Sequence, residues 1–164
     1  MKEQFAVLYL KRRMAWNRKK GKEDNLLFLD FDGVINTFDD DAKKNYQMPS
    51  HRCMKNLNQL CHDRHLKIVI SSSWRYDGIE NCEKYLREGG LDPDIEIVGT
   101  TPKMDFKGRP AEILQYVTKE KDLTGFLIVD DLPMDYLSAF AYRTDFEKGL
   151  DQEALQTLEK IRWE

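Results

Sequence analysis

Apolar residues along this chain gather into short runs of strand length, separated by stretches with helical spacing. The runs are Leu26–Leu29, Lys67–Ile70, Ile95–Val98 and Gly125–Val129, with a weaker one near Ala139–Tyr142. Between and after them, Met54, Leu57, Leu60 and Cys61 share one helical face. Ile79, Cys82, Tyr85 and Leu86 share a second, and Ile113, Leu114 and Val117 a third, opened by Pro110. Leu155, Leu158 and Ile161, each three residues from the last, mark a fourth. Runs of Val, Ile and Leu without polar alternation must be buried on both sides. Strands of that kind alternating with helices predict an α/β fold of three layers: a mainly parallel, Rossmann-like sheet with helices on both faces. Residues 36–49 read as a long loop or small hairpin. Ahead of the first run, residues 1–23 predict a basic arm or a docked amphipathic helix with Phe5, Leu8 and Trp16 near one face. No repeat or linker divides the rest, so residues 24–164 are read as one domain.

Composition narrows the class. The chain has 164 residues, 41% hydrophobic and 34% charged, enough for a proper core and typical of a water-soluble globular protein. No apolar run is long enough to span a membrane, and the first basic cluster follows rather than precedes the first apolar stretch, the wrong order for a secretory signal. Three cysteines without a Cys-x-x-Cys pair fit reduced thiols and a cytoplasmic setting. Cys61 and His65 are one helical turn apart, as zinc ligands would be, but Cys61 also belongs to an apolar face, and His51, Cys53 and His62 complete no convincing site. The net charge of −3 conceals a split: residues 1–23 carry +6 and the remainder −9. A basic segment on an acidic body suits contact with phosphates, or a solvated helix face.

Candidate chemistry sits at the ends of the strands. The first run ends in Asp30-Phe31-Asp32-Gly33. Asp30 falls at the carboxyl end of a buried strand, where open α/β sheets bind ligands. The turn that follows can bring Asp32 back to the same point, and Gly33 permits that turn. Two converging carboxylates suit a divalent cation with oxygen ligands, and one can serve as a nucleophile. A solvated turn gives the same pattern, whereas a calcium loop does not fit, because residues 34–41 lack its further ligands. The second run leads into Ser71-Ser72-Ser73-Trp74-Arg75, where a hydroxyl, free N–H groups and Arg75 can hold a phosphate oxygen, or where the serines simply mark a turn. Lys103, Lys107 and Arg109 precede the Pro110 helix, and Asp105 is placed to orient Arg109. The fourth run ends in Asp130-Asp131, with Asp135 beyond. Carboxylates this close repel unless a cation joins them, although either acid could instead cap a helix. Asp39-Asp40-Asp41 reads as a loop tip, and Trp74 as a rim or core aromatic or a stacking platform for a base.

The order of these segments resembles the haloacid dehalogenase (HAD) superfamily of phosphatases and phosphotransferases, from about residue 25 to the end. The resemblance implies that Asp30 is the nucleophile that forms an aspartyl-phosphate and Asp32 the general acid and base. It implies that Ser71 binds the phosphoryl group, with Ser72 and Arg75 beside it, and that Arg109 or Lys107 supplies the family's cation, usually a lysine. Asp130 and Asp131, with the Asp30 carboxylate and the Asp32 carbonyl, would complete a Mg²⁺ site.

About 38 residues separate Asp32 from Ser71, and a similar span separates Ser71 from Arg109. A helix and a strand fill each span, leaving no room for a cap domain of typical size. Within the superfamily, Asp-Phe-Asp-Gly-Val-Ile-Asn, Ile-Val-Ile-Ser-Ser-Ser-Trp-Arg, Arg109 with Glu112-Ile113, Val129-Asp130-Asp131 and Gly149-Leu150 look like the capless HAD domains of RNA-repair proteins, themselves similar to polynucleotide 3′-phosphatases. The implied substrate is a phosphorylated RNA or DNA end. A phosphoprotein phosphatase or a small-molecule or nucleotide phosphatase would share every motif. A non-catalytic binding module would require a broken acid pair, and both pairs are intact.

Overall fold

A computed structural model describes residues 2–38 and 48–164; the predicted 39–41 loop tip and most of the 36–49 loop fall outside the described residues. The elements, in order, are α1 (Lys2–Lys19), β1 (Asn25–Leu29), α2 (His51–Arg64), β2 (Leu66–Ile70), α3 (Ile79–Glu88), β3 (Ile97–Thr100), α4 (Arg109–Lys119), β4 (Gly125–Asp130), β5 (Ala141–Arg143) and α5 (Gln152–Lys160). Single 3₁₀ turns occupy Ser73–Asp77 and Asp135–Phe140. The five strands form one parallel sheet in the order β3-β2-β1-β4-β5. No cap domain interrupts it among the described residues.

β1 is central and wholly buried, as its unbroken Asn-Leu-Leu-Phe-Leu sequence requires. One of its faces packs Leu27 and Leu29 with β2 residues Ile68 and Ile70 against α2, α3 and α5. The other packs Leu26 and Phe28 against Ile113 and Val117 of α4 and Leu10 and Met14 of α1. The chain leaves β1 toward β2 on one side and returns to pair β4 on the other. That reversal opens a crevice beyond the carboxyl ends of β1 and β4, the place where such sheets hold ligands.

Local signals account for the helix ends. The Ser50 side chain accepts from the Cys53 N–H to cap α2, and Asp151 accepts from Ala154 at 2.9 Å to cap α5. Gly108, at φ 82°, turns the chain into α4 just ahead of Pro110.

Three expectations shift. The third strand lies at Ile97–Thr100 rather than Ile95–Val98, because Ile95 is buried in a turn, its N–H bonded to the Asp92 carbonyl. Apolarity marked its burial, not its place in the ladder. The last strand begins at Ala141, since Asp135–Phe140 coils into a 3₁₀ turn that buries Leu137 and Phe140. α1 does dock, but through Leu10, Met14 and Asn17, while Phe5, Leu8 and Trp16 face solvent. Asn17 Nδ2 donates to the Lys121 and Leu123 carbonyls, both at 2.9 Å, and Arg13 and Arg18 bond carbonyls of α4 and of Thr124. Part of the basic charge of residues 1–23 therefore clamps the helix to the domain.

The amino end of the sheet is closed by the last residues. Trp163 lies across Gly125, where a Cβ would stand 2.2 Å from the indole. Its Nε1 donates to the Phe126 carbonyl at 2.9 Å, and the Arg64 guanidinium sits 4.4 Å from the ring centre.

Candidate active site

Strand register builds the site. Leu29 pairs with Ile70 on one side and Val129 on the other. The next residue of each strand is therefore Asp30, Ser71 or Asp130, side by side at one edge. Backbone bonds continue the ladder one step further, from the Asp30 N–H to the Val129 carbonyl at 3.2 Å and from the Ser71 N–H to the Leu29 carbonyl at 2.9 Å.

Asp30, Asp130 and Asp131 place carboxylate oxygens within 4.8 Å of one another. Arg109, at the start of α4, reaches into this group. Its Nη1 lies 2.6 Å from Asp130 Oδ2 and 3.5 Å from Asp30 Oδ1. Asp130 Oδ1 also accepts from the Leu132 N–H at 2.9 Å, so the predicted cap is realised as a tight turn after β4. Burial, then the charge of Asp130, pushes the Asp30 carboxyl up to about 8, against the pull of Arg109. Burial also raises Asp130, opposed by Arg109 and the Leu132 N–H. Burial works against the Arg109 charge, but Asp130 and Asp30 outweigh it and hold its pKa above the ordinary value. Three crowded acids with one guanidinium leave excess negative charge out of water, which a divalent cation would neutralise.

Asp32 stands apart from that cluster. Its carboxylate accepts from Trp74 Nε1 at 3.0 Å and from Asn36 Nδ2 at 3.1 Å. Tyr85 in turn donates to Asn36 Oδ1 at 2.5 Å. Trp74 is held by Phe31 and Tyr85, with ring centres 5.4 and 4.7 Å away. The exposed acid is thus fixed by a packed aromatic group. Gly33 follows at φ 78°, and a Cβ there would meet Phe146 at 2.6 Å and Asp131 at 3.1 Å, so only glycine fits the turn.

The remaining predicted residues divide. Ser71 is fully buried beside Asp30, and its hydroxyl meets no hydrogen-bond partner among the described residues. Such a group is costly unless a ligand oxygen completes it. Ser72 instead caps the 3₁₀ turn, its hydroxyl accepting from the Trp74 N–H at 3.2 Å. Arg75 is turned inward. It donates to the Ser72 and Thr101 carbonyls at 2.7 and 3.1 Å and pairs with Glu112 at 2.9 Å, with little left to offer a phosphate. Lys107 is exposed, and among the described residues it is Arg109 that touches the acids. Asp105 pairs with Lys103 at 3.8 Å, so the acid beside Arg109 on its own helix is Glu112, at 3.9 Å. The roles of Glu112, Asn36 and Tyr85 were missed from sequence. An acid three residues after Arg109 on a helix was the available signal for the first; the others carry none.

A family profile described as "HAD domain in Swiss Army Knife RNA repair proteins" matches residues 26–155. The chain belongs to this family. Comparison with curated proteins and with solved structures gave no match. Membership in the HAD family points to a hydrolase of the phosphatase type. The matched span runs from β1 into α5 and contains every acid of this HAD domain's site, while α1 lies outside it. No described helix of the HAD domain is long and apolar enough to cross a membrane. Cys53, Cys61 and Cys82 are buried thiols, and no cysteine joins a three-residue metal-ligating group among the described residues.

Proposed function

We propose that this HAD domain is a Mg²⁺-dependent phosphomonoesterase that works through an aspartyl-phosphate on Asp30, acting on a nucleic-acid end such as a 3′-phosphate. The observation that carries the reading is the convergence of Asp30, Asp130, Asp131 and Arg109 at the strand ends, beside the Ser71 hydroxyl, which has no partner among the described residues. The donor set is all hard oxygen, which fits Mg²⁺, and the carboxylates of Asp30, Asp130 and Asp131 with the Asp32 carbonyl would hold it. When bound, the ion offsets the repulsion between the Asp30 carboxylate and a phosphate dianion.

The chain's own residues supply the rest. A carboxylate oxygen of Asp30 attacks phosphorus, and the bond from phosphorus to the leaving oxygen breaks. Asp32 gives its proton to that oxygen, so the nucleic acid departs as an alcohol. Asp32, now ionised, takes a proton from water as the water attacks phosphorus. Phosphate leaves and Asp30 is restored. Arg109 and the Ser71 hydroxyl hold the phosphoryl oxygens, over which charge is spread during transfer. With no cap domain among the described residues to exclude water, the site suits a phosphate carried on a large molecule.

Phosphate release from a 3′-phosphorylated oligonucleotide, with Mg²⁺ and with chelator, tests the reading. The wild-type chain should turn over only with the ion. Asp30→Asn should lose at least about 10³-fold in rate while circular dichroism shows an intact fold, and Asp32→Asn about 10²- to 10⁴-fold. Full activity of Asp30→Asn would remove the nucleophile from its role. Preference for phosphopeptides or mononucleotides would redirect the substrate to the alternatives.

A further inference from the structure

Beside the Asp32 carboxylate lies a cavity of about 180 Å³. Its walls are Phe38, Met48, Trp74 and Phe146, with Asp32 and Thr37 among its polar groups. Phe38 and Phe146 are 58% and 44% exposed although their rings pack only 5.5 Å apart. Water-exposed aromatic faces grouped around a recess mark a binding surface rather than a core. A second observation points the same way. Thr37 is only 4% exposed, and its hydroxyl meets no hydrogen-bond partner among the described residues. The recess therefore joins apolar, π-bearing walls to one buried polar atom awaiting a partner.

Its position decides what arrives there. Asp32 is the group assigned to protonate the leaving oxygen, so whatever the phosphate is attached to must lie on the Asp32 side. Trp74 ties the two places together, since its Nε1 holds the Asp32 carboxylate while its ring lines the recess. The volume is below the roughly 300–1,000 Å³ of pockets for drug-sized ligands, so it takes one planar ring system rather than a length of chain.

We propose that this recess binds the base of the terminal, phosphorylated nucleotide. The base stacks on the aromatic walls and its polar edge meets the Thr37 hydroxyl, which places the sugar oxygen bearing the phosphate next to Asp32. Stacking accepts any base, because each has a π face, so the recess selects for a nucleotide end without reading its sequence closely. This rests on the nucleic-acid-end reading above, and the experiment separates the two.

Two short 3′-phosphorylated oligonucleotides are compared, one with its last base present and one abasic at that residue. Affinity is measured by calorimetry on the Asp30→Asn chain, where no turnover intervenes, and hydrolysis on the wild-type chain. The base-bearing strand should bind about tenfold more tightly than the abasic one. Phe38→Ala, at a ring 58% exposed, should shrink that difference, and Thr37→Val should shift it between bases. Equal affinity for the two strands would overturn the base site, even with both hydrolysed. Tighter binding of a phosphotyrosine peptide than of the base-bearing strand would overturn it too. A base-dependent difference in binding without any hydrolysis would uphold the recess and overturn the phosphatase reading instead.

Discussion

Glu112 holds two arginines that do different work. One carboxylate oxygen pairs with Arg75 at 2.9 Å and lies 3.9 Å from Arg109, and the other accepts from the Met104 N–H at 3.1 Å. Arg75 pins the turn after β2 to Thr101 after β3, while Arg109 faces the acids. Glu112 thus sets the start of α4 against the neighbouring strand ends. Glu112→Ala would leave the buried Arg75 charge without its counterion, and loss of one partner of a buried pair costs about 3–5 kcal/mol. The expected result is a matching fall in unfolding free energy in a urea titration. A change below about 0.5 kcal/mol would show that the carbonyls alone satisfy Arg75. The Asp30, Asp130 and Ser71 positions were readable from sequence, because a polar residue ending a buried strand has one place to go. The Glu112 bridge and the Trp74 bond to Asp32 were not. They join residues 37 and 42 positions apart on different elements, and no local pattern records which donors meet.

At the scale of elements, α1 is the test of how far periodicity reaches. It carries apolar residues on more than one side, so spacing alone does not select the buried face. What selects it is complementarity with the far ends of α4 and β4, where Asn17, Arg13 and Arg18 satisfy backbone carbonyls. Asn17→Ala would strip two carbonyls of their donor at a buried contact and should lower stability by about 1–3 kcal/mol. Phe5→Ser, at a position 69% exposed, should leave the melting temperature nearly unchanged. The reverse ranking would mean that α1 docks through its other face. The strands were legible wherever both faces are buried, as in β1 and β4. The edge strand β3 slid by two residues because Ile95 is buried by a turn, and the extra residue Val98 on β3, opposite the Ile68–Val69 step of β2, shifts the register beside it.

For the whole molecule, the acids at the sheet edge couple folding to pH and, on the proposed Mg²⁺ reading, to metal. The Asp30 carboxyl titrates near 8 when folded, above its ordinary 3.8, so the folded chain keeps a proton that the unfolded chain has released. Its contribution to stability is full below about pH 4 and is lost as pH rises toward 8. A divalent ion that replaces the proton removes this loss. The gain in melting temperature on adding Mg²⁺ should therefore grow between pH 5 and pH 8, and Asp30→Asn should flatten that growth. Thermal unfolding across this range, with and without Mg²⁺, gives the measurement, and an Mg²⁺ shift independent of pH would contradict it.

Trp163 and Trp74 sit at opposite poles of the same sheet, one wedged over Gly125 and the other bound to Asp32. With the exposed Trp16 replaced, the chain would carry two native fluorophores with separate duties. Reddened emission from the first would announce fraying of the tail, and quenching of the second would announce occupancy at the far rim, so one spectrum could tell loosening from loading.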